Sequence, residues 1–138
     1  MRILITGGGG CLGSNLIEHC QPKGYEIFVI DNFATGKREV LLPIAGLEVV
    51  DGSIADKKLV RECFERFMPT HVIHSAASYK DHNDWVGDVA TIVTGTIHVA
   101  RASLGTAVKR LVNFQTTLCY GRPCNEDLSI NHFCKSKP

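Results

Sequence analysis

The 138-residue sequence has no apolar run approaching the roughly 18 residues that span a bilayer, so nothing in it reads as a membrane-crossing helix. The apolar core of a secretion signal is missing as well. Only Ile3, Leu4 and Ile5 precede Thr6 and a glycine cluster, and this short run reads as a strand. Charge of one sign is also lacking: 15 Lys and Arg against 14 Asp and Glu leave a formal net charge of +1. With no basic block to track a phosphate backbone, nucleic acid is not an expected partner. The six cysteines, Cys11, Cys20, Cys63, Cys119, Cys124 and Cys134, show no C-x-x-C spacing and suit reduced thiols in a cytoplasmic protein. Internal repeats, low-complexity tracts and a linker marking a second domain are all absent, and the length corresponds to about one domain.

What is present is an alternation of apolar runs and helical patterns. Arg2 to Thr6 reads as a strand, Cys11 to about Cys20 as a helix, and Glu26 to Ile30 as a strand, with Pro22 and Gly24 between. A short helical piece is expected near Lys37 to Leu42, ended by Pro43, and a third strand over Leu47 to Val50. Asp56 is a suitable N-cap for a helix with Leu59, Val60, Cys63, Phe64 and Phe67 on one face, closed by Pro69. A fourth strand, His71 to His74, leads through a polar loop to a long helix from about Val86 to Ala107. Its expected inner face is Val89, Ile92, Val93, Ile97 and Ala100. Arg110 to Phe114 makes a fifth strand. The implied fold is α/β, a Rossmann-type doubly wound parallel sheet covered on both faces, with strand order 3-2-1-4-5. The domain is expected to span residues 1–122. Periodicity fails after Gly121, and residues 123–138 read as an irregular tail.

The glycines of Thr6-Gly7-Gly8-Gly9-Gly10-Cys11-Leu12-Gly13 lie between the first strand and the first helix. A pyrophosphate needs bare backbone N–H groups at a helix N-terminus, and a Cβ at Gly7, Gly10 or Gly13 would hold it away. The string alone is a weak signal, and its bland reading is a glycine-rich tight turn. The context favours a dinucleotide: Asp31 ends the second strand 18 positions after Gly13, close to the spacing of a carboxylate that takes both ribose hydroxyls. That carboxylate repels a 2′-phosphate, so NAD is expected over NADP. Lys37 and Arg38 lie beyond the usual place for a phosphate-binding cation and read as a solvated loop.

These segments stand in register with Asp31-Asn32-Phe33-Ala34-Thr35-Gly36, His74-Ser75-Ala76-Ala77 and Thr116-Thr117-Leu118-Cys119-Tyr120-Gly121. Together they resemble the extended short-chain dehydrogenase/reductases, and within them the NAD-dependent nucleotide-sugar epimerase/dehydratase branch, over residues 1 to about 122. The resemblance implies that Gly7, Gly10, Cys11, Leu12 and Gly13 form the pyrophosphate loop. It assigns Asp31 and Asn32, with Gly36 in the same segment, to the adenosine ribose. Ser53 and Ile54 would border the adenine, with Ser53 replacing the family's aspartate. Ala76 and Ala77 would let the cofactor approach the backbone, and Lys80, in the loop with Tyr79, would contact cofactor or substrate. Thr116 would be the hydroxyl that bonds the reacting group. The implied partner is a nucleotide-sugar in the full-length family, and a homodimer through the long helices is implied as well.

Three departures bear on catalysis. The family's base is the tyrosine of Y-x-x-x-K, whose lysine lowers the phenol from about 10 toward neutrality. No tyrosine here has a lysine at the fourth place: Tyr25 is followed by Val29, Tyr79 by Asn83 and Tyr120 by Cys124. The family's N-V-x-G-T appears as Ile92-Val93-Thr94-Gly95-Thr96, with an apolar residue in place of a polar one, a change that repacking against a neighbouring helix would also explain. The family's sugar-gripping C-terminal half has no counterpart in these residues. The expectation is a cofactor-binding portion without turnover by itself, or alternatively a non-catalytic NAD-binding or partner-binding module. No metal site is expected: His71 and His74 alternate to opposite faces of a strand, and Cys124, His132 and Cys134 have no fourth ligand at zinc spacing.

Overall fold

A computed structural model describes residues 1–41, 44, 46–79 and 81–115. Five parallel strands, β1 (Arg2–Thr6), β2 (Glu26–Asp31), β3 (Glu48–Asp51), β4 (His71–His74) and β5 (Arg110–Asn113), form one sheet in the order β3-β2-β1-β4-β5. The expected topology is the observed one. Helix α1 (Cys11–Cys20) makes the β1–β2 crossover and α2 (Lys57–Phe67) the β3–β4 crossover. The β4–β5 crossover runs through α3 (Trp85–Asp88), a π-helical stretch (Val89–Gly95) and α4 (Thr96–Ser103).

The central strands read as unbroken apolar runs because both faces of a doubly wound sheet are covered. Leu4, Phe28, Val29 and Ile30 are fully buried. Alternate side chains feed two cores. Leu4, Phe28, Ile30 and Val72 pack with Val60, Phe64 and Phe67 of α2 and Val99 of α4, while Ile3, Ile5, Ile27 and Val29 pack with Ile17 and Cys20 of α1.

Helix α2 starts where the Asp56 Oδ1 accepts the N–H groups of Lys58 at 2.8 Å and Leu59 at 3.1 Å. It ends at Phe67, because Met68 adopts left-handed backbone with φ 47° ahead of buried Pro69. Between β2 and β3 the helical piece is one 3₁₀ turn, Arg38–Val40; Leu42 and Pro43 lie outside the described residues.

Two expectations for the β4–β5 crossover are corrected. It starts at Trp85 and its last helix ends at Ser103, four residues before Ala107, because Leu104 leaves helical backbone and Gly105 turns the chain at φ +72°. The expected inner face is largely the outer one. Val89, Ile92, Val93 and Ile97 are 56%, 45%, 52% and 47% exposed, and only Ala100 of that set is half-buried. The sheet and α2 instead receive Gly95, Val99 and Ala102. Gly95 approaches Ile54 so closely that a Cβ would lie 2.6 Å from its side chain. Periodicity locates an apolar stripe; the small residues that allow close packing decide which side meets the core. Among the described residues nothing covers β5, which is exposed along its length, with Leu111 at 37% and Val112 at 41%. The domain boundary at residue 122 and the 123–138 tail lie outside the described residues.

Candidate functional site

A cleft opens at the carboxyl ends of the strands, between the β1–α1 turn, the loop after β2 and the loop after β4. Gly7, Gly10, Asp31 and Gly36 line one part of it, Ser53, Ile54, Ala76 and Ala77 another. This is the switch point at which open α/β sheets bind ligands, because crossovers to opposite faces diverge there.

The turn into α1 depends on glycine at two places. Gly7 has φ +75°, donates to the Ile30 carbonyl at 2.9 Å, and lies so near the chain after β4 that a Cβ would be 2.8 Å from Ala76 Cα. A Cβ on Gly13 would overlap the Gly7 carbonyl oxygen and lie 2.6 Å from Gly8 Cα, so α1 packs directly on the turn. Gly10 is the N-cap of α1 and brings no capping side chain. The first α-helical bond runs from Ser14 N–H to Gly10 O at 2.9 Å. The amides of Cys11, Leu12 and Gly13 are therefore without partners within the helix, at the positive end of its dipole. That cradle fits a pyrophosphate.

Asp31 is 8% exposed and held from both sides. Its Oδ2 accepts the Gly9 N–H at 2.7 Å and its Oδ1 the Phe33 N–H at 2.7 Å. These bonds tie the carboxylate to the glycine turn and leave each oxygen a second lone pair for a ligand hydroxyl. The loop after β2 is drawn in by Lys37 N–H donating to Gly9 O at 3.0 Å, with Gly36 backed on Gly9. Arg38 is engaged elsewhere: its guanidinium lies 2.5 Å from the Asp51 carboxylate and 4.4 Å over the Phe33 ring. It stays exposed, as a solvated loop residue would, and a 2′-phosphate would have to compete with Asp51 for it. Lys37 is exposed.

The remaining expected residues divide. Asn32 is exposed and its side-chain oxygen accepts the Ala34 N–H at 3.1 Å. Ser53 Oγ accepts the Ala55 N–H at 3.1 Å, and Ile54, 3% exposed, belongs to the core as well as to the cleft wall. Cys11 and Leu12 are exposed at the start of α1, and Gly13 is buried beneath the turn. Tyr79 stands on the rim, 73% exposed. Lys80 and Thr116 lie outside the described residues, as does Tyr120. Ile92 does not repack against a neighbouring helix among the described residues; it is 45% exposed.

Sequence reading missed two features. Thr91 lines the cleft from the π-helical stretch, a bulge that an ideal 3.6-residue period does not disclose. His74, 3% exposed, carries hydrogen bonds at both ring nitrogens, 2.6 Å to Thr6 Oγ1 and 2.9 Å to Thr96 Oγ1. Burial pushes its pKa below the usual histidine value. Among the described residues no three His, Cys, Asp or Glu side chains are grouped to hold a metal, and no helix is long and apolar enough to cross a membrane.

Sheet order, glycine turn and ribose acid together define a dinucleotide-binding Rossmann domain. Residues 3–137 match the model of the NAD dependent epimerase/dehydratase family, and the chain belongs to that family. It is 32% identical over 145 residues to a UDP-glucose 4-epimerase of Streptomyces lividans, a match covering 99% of this chain and 42% of that enzyme. The Bordetella bronchiseptica enzyme WbmG, solved in complex with NAD, is 65% identical with a TM-score of 0.87, over 91% of this chain and 41% of WbmG. WbmH of the same organism, in complex with NAD+, is 42% identical with a TM-score of 0.88, over 95% of this chain and 44% of WbmH. The chain thus spans about two fifths of the length of these relatives.

Proposed function

We propose that this chain binds NAD, as the cofactor-holding portion of a nucleotide-sugar epimerase or dehydratase. The observation that carries the reading is Asp31, fixed by Gly9 and Phe33 beside the bare N-terminus of α1. The amides of Cys11, Leu12 and Gly13 hold the pyrophosphate, and Asp31 takes the adenosine ribose hydroxyls with Asn32 and Gly36 flanking. Ser53 and Ile54 border the adenine, while Ala76 and Ala77 leave room for the nicotinamide half. Lys80 reaches cofactor or substrate from its loop. NAD bound in WbmG and WbmH supports the same ligand here.

When bound, NAD supplies reversible hydride exchange at its nicotinamide. In the whole protein Thr116 hydrogen-bonds the reacting sugar oxygen, and the proton is moved by a Y-x-x-x-K pair. These 138 residues contain no such pair, so the chain alone holds cofactor without turnover. The nucleotide-sugar is the whole protein's substrate class, supported by the UDP-glucose epimerase relative. The site of action is cytoplasmic. The apolar outer face of Val86, Val89, Val93 and Ile97 supports a homodimer through these helices.

Calorimetry with NAD, NADH and NADPH on the 138-residue chain is the test. NAD or NADH should bind, and NADPH should bind about tenfold or more weakly, about 1.4 kcal/mol. Absence of binding at millimolar cofactor would overturn the reading, and preference for NADPH would overturn the role of Asp31. A second reading, a non-catalytic NAD-binding or partner-binding module, is favoured by Ile92, whose side chain offers no hydrogen bond where the family has asparagine. Sugar turnover by the full-length gene product would remove it.

A further inference from the structure

We propose that His74 is a positioning residue for the dinucleotide, tying the loop after β4 to the π-helical stretch beside the cleft through one directed chain of hydrogen bonds from Ala76 to Ile92. This rests on the NAD reading above. The direction of the chain follows from its ends. At the helix end, Thr96 Oγ1 donates to the Ile92 carbonyl at 2.5 Å, so it can only accept from His74 Nε2, 2.9 Å away. At the sheet end, the Ala76 N–H donates to Thr6 Oγ1 at 3.3 Å, and that hydroxyl lies 2.6 Å from His74 Nδ1. With its one ring proton on Nε2, neutral His74 accepts the Thr6 proton at Nδ1. Every donor then has its acceptor.

One end of this chain lines the site and the other adjoins a residue that does. Thr6 immediately precedes Gly7 of the glycine turn, and its carbonyl oxygen accepts the Ser75 hydroxyl at 2.7 Å and the Ser75 N–H at 3.2 Å. Ser75 and Ala76 line the cleft on that side. Ile92 follows Thr91, which lines it from the π-helical bulge. A bulge withdraws carbonyls from the regular i to i−4 ladder, and the Thr96 hydroxyl occupies the Ile92 carbonyl here. His74 therefore spaces the β4 loop from the bulged helix without lining the cleft itself. A hydrophobic residue of similar bulk would fill the volume and leave the Thr6 hydroxyl proton without this acceptor, and Thr96 without its donor.

Thr96→Val breaks the chain at a near-isosteric site away from the cleft, and Thr96→Ser restores the hydroxyl. For the 138-residue chain, calorimetry should show Thr96→Val weakening NAD by about fivefold or more, the lower end of coupling between sites, with Thr96→Ser close to the parent. Nitrogen-15 shifts of the His74 ring should report Nε2–H with an accepting Nδ1 in the parent. Parent-like NAD affinity in Thr96→Val, or a proton on Nδ1, would overturn the proposal while leaving NAD binding intact. Failure of the parent to bind NAD would overturn both readings together.

Discussion

The β1–α1–β2 half of the sheet and the crossover from α3 to β5 are built from similarly apolar residues, yet they meet solvent differently. In the first half, Leu4, Ile5, Ile17, Phe28, Val29 and Ile30 are fully buried. In the second, Val86 is 82% exposed, Val93 52% and Phe114 45%. The glycine turn and Asp31 rest on the dry half, where backbone amides and a carboxylate are held by 2.7 Å bonds. The exposed half contributes Thr91 and, through Thr96, the far end of the His74 chain. The exposed half is joined to the cleft by side-chain hydrogen bonds, His74 Nε2 with Thr96 Oγ1 at 2.9 Å and His98 Nδ1 with the Ile54 carbonyl at 3.0 Å, whereas the dry half is joined by buried apolar packing.

Substitutions grade that contrast. Gly13→Val should do most harm, because its side chain has nowhere to go between α1 and the Gly7 carbonyl; loss of a cooperative melt, or of NAD binding in any folded remainder, is the expected result. Phe28→Ala should cost about 3–5 kcal/mol in urea unfolding, as expected for a large buried aromatic removed from a packed core. Asp31→Asn should weaken NAD by about 1.5–3 kcal/mol in calorimetry, the range for hydrogen bonds to charged groups, and should narrow the gap to NADPH.

Acidification acts through His74. Its folded-state pKa lies below the ordinary 6.5, so below that value the unfolded chain binds the proton more readily. The contribution is fully present above the unfolded pKa and is lost as pH falls from there toward the folded one. The limiting slope is about 1.4 kcal/mol per pH unit for one proton, and His74→Asn should flatten it in melts taken across this window. At the small end, Val93→Lys and Leu111→Ala should each shift unfolding by no more than about 0.5 kcal/mol, being surface changes. Val93→Lys should also lower any self-association seen in sedimentation. A core-sized loss at either position would end the comparison between the halves.

Much of the sheet was legible because doubly buried strands must be apolar throughout, and β1 and β4 fall at the expected residues. The ends of α2 were legible because an Asp56 side chain caps only a helix that begins just after it, and the chain must leave helical backbone before Pro69. In the site, the glycine spacing and Asp31 were visible since a phosphate cradle tolerates few residue types. The partner of Arg38 was not legible because Asp51 lies 13 positions away. The long helix was misread because an apolar stripe carries no sign of what covers it.

The amino-acid sequence by itself determined the bare amides at the start of α1 and the carboxylate at the end of β2, each a consequence of local residue type at fixed spacing, and the strand order, through the handedness of parallel crossovers. Tertiary structure alone decided which helix face meets the core, that Arg38 pairs with Asp51 and that Thr91 reaches the cleft. It also placed His74 between two hydroxyls, 68 positions away at Thr6 and 22 at Thr96. The physical reason is that a hydrogen bond depends on distances of a few tenths of an ångström, and those are set only when elements remote in the chain pack together.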